Sequence, residues 1–176
     1  MTVGVRAFTV SNNTRSAVLY SVLYFLRFWP LNLILSKMNL HSAISEGHVS
    51  AVKNFLRRGG ADIYEFDQSG TTPLCHAAAI GEKEVVKLLL AVDGIDINFP
   101  DKFGRTPLLY TVAKKIEKVI KLLFAVDRID TNFQNKNNWT LLLYTIANKI
   151  EEVVKLLFAV DRIDINLQNK FGWILL

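Results

Sequence analysis

Short apolar segments alternate in pairs along the chain from residue 40 onwards. In the clearest pair, Thr72-Pro73 precedes a small apolar segment that reaches Ile80, and Gly81 follows it. Threonine caps helix N-termini, proline suits the first helical position, and glycine adopts the left-handed turn that ends a helix. The next segment, roughly 83–91, is apolar at positions 85, 86, 88, 89 and 90, too many for one surface stripe. The pattern predicts two short helices, the second covered on more than one side.

The same pair of segments recurs after 34 residues. Residues 135–168 match 101–134 at 23 of 34 positions, and this step defines four copies, 38–66, 67–100, 101–134 and 135–168, with a partial fifth copy at 169–176. Between the copies, a loop and a turn rich in Asp, Asn and Gly indicate a short hairpin. Repeats of this length stack into a solenoid with a continuous core. We therefore predict an all-α repeat solenoid of helix-turn-helix units joined by short β-hairpin loops.

The motifs of these copies resemble those of the ankyrin repeat family. They are Gly-x-Thr-Pro-Leu at 70–74 and 104–108, Ala77-Ala78, Gly81, the apolar segment at 85–90 and Gly-Ala-Asp at 60–62. The resemblance covers about 38–176, with a period one residue longer than the usual 33. It implies a scaffold that binds another protein through its hairpin tips and the inner face of its first helices.

Copies three and four depart most from the family pattern, and copy two departs from it at the histidine position. The replaced positions are the histidine after Thr-Pro-Leu (Cys75, Leu109 and Leu143), the glycine between the helices (Lys115 and Lys149), the loop glycine (Arg128 and Arg162) and an interior alanine (Val112 and Ile146). The loss of the histidine predicts the loss of its helix-end hydrogen bond. Each non-glycine residue costs about 1 kcal/mol if its φ stays positive. We expect these copies to be less stable than copy two, and the end at Leu176 without a polar capping repeat suggests part of a longer array or a degraded gene product.

Residues 1–37 form a separate N-terminal arm before the repeat domain, 38–176. Residues 1–39 carry four basic and no acidic residues, whereas the rest carries 17 basic and 16 acidic residues. Arg27 and Pro30 interrupt the apolar stretch 17–35, although a transmembrane helix needs about 20 apolar residues in a row. No small-residue cleavage site follows it. Three interpretations stay open: a broken helix that covers the end of the stack, a membrane-associated or signal segment, and a poorly ordered arm.

Little in the sequence indicates catalysis or cofactor binding. Cys75 and His76 are adjacent, so on a helix they point in different directions. The three histidines and the single cysteine lack the clustered spacing of a zinc site, and Asp96, Asp130 and Asp164 are predicted to hydrogen-bond within their loops. No phosphate loop or dinucleotide fingerprint appears. We expect no enzyme activity, no cofactor, no metal and no small-molecule substrate. The lone cysteine excludes an internal disulfide and favours a reducing compartment, cytoplasmic or nuclear.

The family resemblance transfers a candidate protein-binding surface onto this chain. Its predicted members are Gln68, Ser69, Thr71, Lys102, Phe103, Arg105, Lys114, Lys136, Asn137, Trp139, Asn148, Lys170, Phe171 and Trp173. This edge becomes more basic and aromatic toward the C-terminus, and aromatic residues and arginine dominate interface hot spots. A cationic rim favours an acidic partner. An alternative interpretation is that Trp139 and Trp173 cover a poorly capped end of the stack.

Two other functions remain as alternatives. In the first, residues 17–35 anchor the chain to a membrane and the repeats act as a tethered adaptor. In the second, the basic edge binds nucleic acid, which the near-neutral charge of the repeat domain disfavours.

Overall fold

The structure, a computed structural model, describes residues 38–59, 62–159, 163–166 and 172. These residues contain eight helices: α1 (Leu40–Ser45), α2 (Val49–Arg58), α3 (Pro73–Ile80), α4 (Lys83–Leu90), α5 (Pro107–Ala113), α6 (Glu117–Phe124), α7 (Leu141–Ala147) and α8 (Glu151–Phe158). The chain divides into two units between Met38 and Asn39, and all eight helices belong to the second unit. The N-terminal arm and the predictions made for it lie outside the described residues. Among the described helices, none has the length and apolarity needed to cross a membrane.

Each copy contributes one helix to each of two layers. The first helices α1, α3, α5 and α7 contact one another in order, the second helices α2, α4 and α6 do the same, and each first helix packs on the second helix of its own copy. This is the predicted all-α repeat arrangement. It places the apolar core in a strip between the layers, as expected for stacked repeats.

The first helices begin at the predicted caps. Thr72, Thr106 and Thr140 each accept a hydrogen bond from the amide three residues later. In copy one the cap is Asn39, one residue later than the alignment places it, and α1 begins at Leu40. The Asn39 side chain accepts from the Ser42 amide, and the Ser42 hydroxyl accepts from the Asn39 amide. These caps satisfy helix amides that have no partner within the helix.

The second helices are buried on more than one side, as their pattern predicts. Val85, Val86 and Leu89 of α4 are completely buried because α3 of the same copy and the helices of the neighbouring copies cover them. The equivalent apolar positions of α6 are buried as well.

The interior position predicted at Ile146 is wrong. Ala78 and Val112 at the same place in earlier copies are fully buried, whereas the Ile146 side chain is 41% exposed. Among the described residues the last helix is α8, which belongs to the same copy as Ile146, so no described helix of a following copy covers this side chain.

Turns with left-handed residues connect the two helices of each copy. Gly81 has φ +84°, and Lys115 and Lys149 at the equivalent positions have φ +56° and +53°. These two lysines therefore carry the predicted strain. The penalty proposed for Arg128 does not apply, because among the described non-glycine residues positive φ occurs only at Lys115, Asn138 and Lys149. Arg162 lies outside the described residues.

The connections between copies are turns, and the described residues contain no β-strand, so the hairpin detail is not confirmed. Side chains bridge neighbouring copies here. Asn98 Oδ1 accepts from the Asp130 amide at 2.8 Å, and Asn132 Oδ1 accepts from the Asp164 amide at 2.9 Å. Tyr64 occupies the same place in copy one, and its hydroxyl oxygen accepts from the Asp96 amide at 2.8 Å.

The three loop aspartates behave as predicted. Asp96, Asp130 and Asp164 each accept a hydrogen bond at 2.9 Å from the amide two residues later. They stabilise their own loops and do not form paired carboxylates.

Ion pairs lie on the exposed faces of two second helices. Lys121 lies 4.0 Å from Glu117 on α6, and Lys155 lies 3.2 Å from Glu152 on α8. All of these side chains are largely exposed, so each pair contributes at most a few tenths of a kcal/mol.

Candidate functional site

Three turns with the same internal geometry form the outer edge of the stack: 67–71, 101–105 and 135–139, the tip turns. In each, one side-chain oxygen of the first residue accepts the backbone amides two and four residues later. Asp67 Oδ1 accepts from Ser69 and Thr71 at 2.8 Å. Asp101 and Asn135 repeat this pattern at 2.8–3.0 Å. An Asx side chain that replaces a backbone partner in this way holds a turn rigid.

A lysine from each following copy lies over the tip turn before it. The Lys102 amide donates to the Gly70 carbonyl at 2.9 Å, and a Cβ placed on Gly70 would lie 2.9 Å from Lys102 Cδ. In the next copy, Lys136 Nζ donates to the Lys102 carbonyl, and a Cβ on Gly104 would lie 2.9 Å from the Lys136 backbone nitrogen. The two glycines, both with positive φ, therefore allow the copies to approach and align one lysine per copy along the edge.

The second tip turn, 101–105, contains a buried carboxylate that is fully engaged. Asp101 Oδ2 accepts from Arg105 Nε and Nη2, both at 2.7 Å, and from the Tyr110 hydroxyl at 2.8 Å. Burial alone would raise the pKa of Asp101, but the Arg105 amide, the Tyr110 hydroxyl and the Arg105 guanidinium together lower it below its usual value. The pKa of Tyr110 rises to about 12, first through burial and also through Asp101, so its hydroxyl remains a donor.

Arg105 also orders the aromatic side chains of this tip. Its guanidinium carbon lies 4.8 Å from the Phe103 ring centre and 4.7 Å from the Tyr110 ring centre. Phe103 is 57% exposed, although it is a large apolar side chain. A rigid, exposed aromatic ring beside cationic groups suits protein recognition.

The structure places most of the predicted binding residues on the surface. The exposed ones are Gln68, Ser69, Lys102, Phe103, Lys114, Lys136, Asn137 and Asn148, while Arg105 and Trp139 are half-buried. Lys170, Phe171 and Trp173 lie outside the described residues. The prediction of an exposed Thr71 is wrong, because this residue is only 8% exposed. Its side chain hydrogen-bonds to the Tyr110 hydroxyl of the next copy and therefore lies between the two copies.

Cys75 has the properties of a structural thiol. It is completely buried, and its Sγ donates weakly to the Arg105 and Phe99 carbonyls at 3.5 and 3.8 Å. At the equivalent position one copy earlier, His41 Nε2 donates to the Glu65 carbonyl at 2.9 Å. Burial raises the pKa of the Cys75 thiol to about 12, so it is not a nucleophile near neutral pH.

Two of the three histidines lie close together in space, although their spacing along the sequence is not that of a zinc site. His41 and His76 lie beside Asp67, and one ligating atom from each falls within 4.8 Å of the others. Burial lowers the pKa of His76, and His41 lowers it further, although Asp67 opposes both effects. The repeat step contained a signal for this pair: His41 and His76 are one period and one residue apart, which places them on adjacent first helices.

Comparison with known families agrees with the architecture. Residues 40–132 and 81–169 each match the family model described as ankyrin repeats (3 copies). No individual curated protein matches the chain.

Proposed function

Because the chain belongs to the ankyrin repeat family, we propose that it is a non-enzymatic scaffold that binds another protein through its tip turns and the adjoining inner face of its first helices. Ankyrin repeats generally mediate protein–protein interaction, and their proteins are typically binding modules without catalysis. The finer assignment, to the edge that carries Lys102, Phe103 and Lys136, rests on the geometry of that edge.

The observation that carries the proposal is the separation of charges at the tips. The carboxylate of Asp101 is buried inside its turn, whereas Lys102 and Lys136 are exposed on the outside. The outer edge is therefore cationic although the repeat domain as a whole is nearly neutral. Such a rim favours association with an acidic surface and contributes to specificity and association rate. Exposed Phe103 supplies an apolar anchor within the rim.

The proposal is tested by reversing charge at the tips and, separately, on the second helices. The test variant is Lys102→Glu with Lys136→Glu, and the matched control is Lys53→Glu with Lys118→Glu, which changes two exposed lysines of α2 and α6 by the same charge. The wild type is immobilised and used to capture binding proteins from an extract. The amount of each captured protein is then measured on the immobilised wild type, the tip variant and the control variant. We expect the tip variant to lose about tenfold or more of the capture, and the control to retain it.

Equal capture by both variants, or equal loss from both, would refute the assignment to the tip edge. Thermal unfolding of the three proteins by circular dichroism ensures that only folded variants are compared.

The tethered-adaptor alternative depends on residues 17–35, which lie outside the described residues, so it stays a prediction. Extraction of membranes with carbonate tests it, because release of the chain into the soluble fraction contradicts anchoring. Nucleic-acid binding by the same edge predicts a steep loss of affinity with salt.

A further inference from the structure

His41, Asp67 and His76, the His–Asp cluster, lie where copies one and two meet. His41 belongs to α1, Asp67 opens the first tip turn, and His76 belongs to α3. His41 Nδ1 lies 3.4 Å from His76 Nδ1 and 4.0 Å from Asp67 Oδ2, and His76 Nδ1 lies 3.7 Å from the same oxygen. The three atoms form a nearly equilateral triangle.

Hydrogen bonds on the far side of each ring determine where its hydrogen lies. His41 Nε2 lies 2.9 Å from the Glu65 carbonyl oxygen, which can only accept, so the hydrogen is on Nε2. His76 Nε2 lies 3.2 Å from Ser45 Oγ, and the Ser45 hydroxyl donates its own hydrogen to the His41 carbonyl at 3.0 Å. Ser45 must therefore accept from His76, and this hydrogen is also on Nε2.

Both Nδ1 atoms consequently present lone pairs toward each other and toward a carboxylate oxygen. Three acceptors converge with no hydrogen between them. Because the cluster is partly buried, this arrangement of acceptors is unfavourable unless a cation lies among the three atoms. His41 is only 7% exposed, so water compensates it poorly.

We propose that the His–Asp cluster binds a divalent transition-metal ion of the zinc class, with His41 Nδ1, His76 Nδ1 and Asp67 Oδ2 as ligands. A tetrahedral zinc centre with bonds of about 2.0–2.1 Å separates its ligand atoms by roughly 3.3–3.4 Å. The two nitrogens already have this separation. Asp67 Oδ2 needs to approach His76 Nδ1 by about 0.3 Å and His41 Nδ1 by about 0.6 Å. Two imidazoles and one carboxylate select zinc-class ions over magnesium or calcium, which prefer oxygen ligands.

The surroundings of the cluster are those of a metal site. Metal-bound histidines usually donate their other ring N–H to a carbonyl or another fixed acceptor, and the Glu65 carbonyl and the Ser45 hydroxyl fill these roles. Asp67 Oδ1 is held by two backbone amides of its turn, which orients Oδ2 toward the rings. With three protein ligands, a fourth position remains for water.

The ion would join the first two copies, because its ligands come from both. A ligand that binds only the folded state raises the stability of that state. Zinc should therefore raise the unfolding temperature of the chain by stabilising the contact between α1 and α3.

The test is a titration of the full chain with Zn²⁺ alone, followed by calorimetry and by thermal unfolding, with Co²⁺ as a spectroscopic substitute. The ligand variants are Asp67→Asn and His41→Leu. Both should fold, because Asn135 and Leu109 occupy the equivalent positions in other copies. The control is His48→Ala, which removes the remaining histidine, paired with Glu46 outside the cluster.

We expect the wild type and His48→Ala to bind one equivalent of Zn²⁺, to show the visible absorption of four-coordinate Co²⁺ and to unfold at a higher temperature with Zn²⁺ but not with Mg²⁺. Each ligand variant should bind Zn²⁺ about tenfold more weakly or worse. The proposal is overturned if the wild type binds no Zn²⁺, or if the folded Asp67→Asn variant binds it as tightly as the wild type. Loss of binding in His48→Ala alone would place the site at His48 and would equally overturn it.

Discussion

Copies two and three have the same tip turn but use its carboxylate differently. In both, Oδ1 of the first residue accepts two backbone amides of the turn. In copy three, Oδ2 of Asp101 receives hydrogens from Arg105 and Tyr110. In copy two, Oδ2 of Asp67 faces two histidine nitrogens. One oxygen is therefore structural in both copies, and the other takes the role that its neighbours allow.

The turn between the helices shows a second difference between the same two copies. Gly81 has no free space beside it, because a Cβ there would lie 2.9 Å from Ile116 Cγ2 of the next copy. Lys115 occupies the equivalent turn in copy three with a full side chain, and it is exposed. The backbone conformation is left-handed in both, but only at Gly81 does stacking also require the absence of a side chain.

The largest expected effect comes from removing each tip carboxylate. Asp101→Ala should lower the free energy of unfolding by about 3 kcal/mol, because it removes a buried ion pair and leaves the Arg105 and Tyr110 donors and two turn amides without their acceptor. Asp67→Ala should cost about 1–2 kcal/mol, mainly through its two turn amides. Urea unfolding at neutral pH without added metal measures both. Equal losses would contradict the distinction between the two carboxylates.

A smaller effect is expected at the turn between the helices. Gly81→Ala should destabilise the chain by about 2 kcal/mol, because a left-handed φ costs an L-residue about 1–2 kcal/mol and the new methyl group meets Ile116. Lys115→Gly is the counterpart, and it should stabilise the chain by less than about 1 kcal/mol, since glycine loses more entropy on folding. Thermal unfolding of both variants gives the comparison. A Gly81→Ala variant as stable as the wild type would show that the two turns are equivalent.

The smallest expected effect is the change in the free energy of unfolding at acidic pH. Because the folded-state pKa of Asp101 lies below its usual value of 3.8, its ionised form adds stability that is complete above that value. This stability is lost as the pH falls through the lowered pKa. Asp101→Asn retains a side-chain oxygen for the turn amides, as Asn135 does, but removes the titration. The difference in free energy of unfolding between wild type and variant should therefore shrink below about pH 4. A constant difference between about pH 6 and pH 2 would contradict the lowered pKa.

The position of the edge formed by the tip turns was predictable from the sequence, but the burial and contacts of its side chains were predictable only in part. Lys102, Phe103 and Lys136 are exposed as predicted, because the tip residues of a repeat face outward wherever their copy stacks. Thr71 is buried, and Arg105 is held by Asp101, because these outcomes depend on side-chain rotamers that the local sequence pattern does not specify. The sequence shows that Asp101 and Arg105 are four residues apart, but it does not show how their side chains are oriented.

By itself, the amino-acid sequence determined the repeat, the helix pairs, the threonine caps and the left-handed turns at Gly81, Lys115 and Lys149. These features depend on residues a few positions apart, whose preferences act locally. Only the tertiary structure decided that His41, Asp67 and His76 converge, that Cys75 lies between two carbonyl groups and that Ile146 is exposed. Each of these depends on how one copy is placed on the next, and contacts between residues 24 to 35 positions apart follow from the stacking of whole helices rather than from any local pattern.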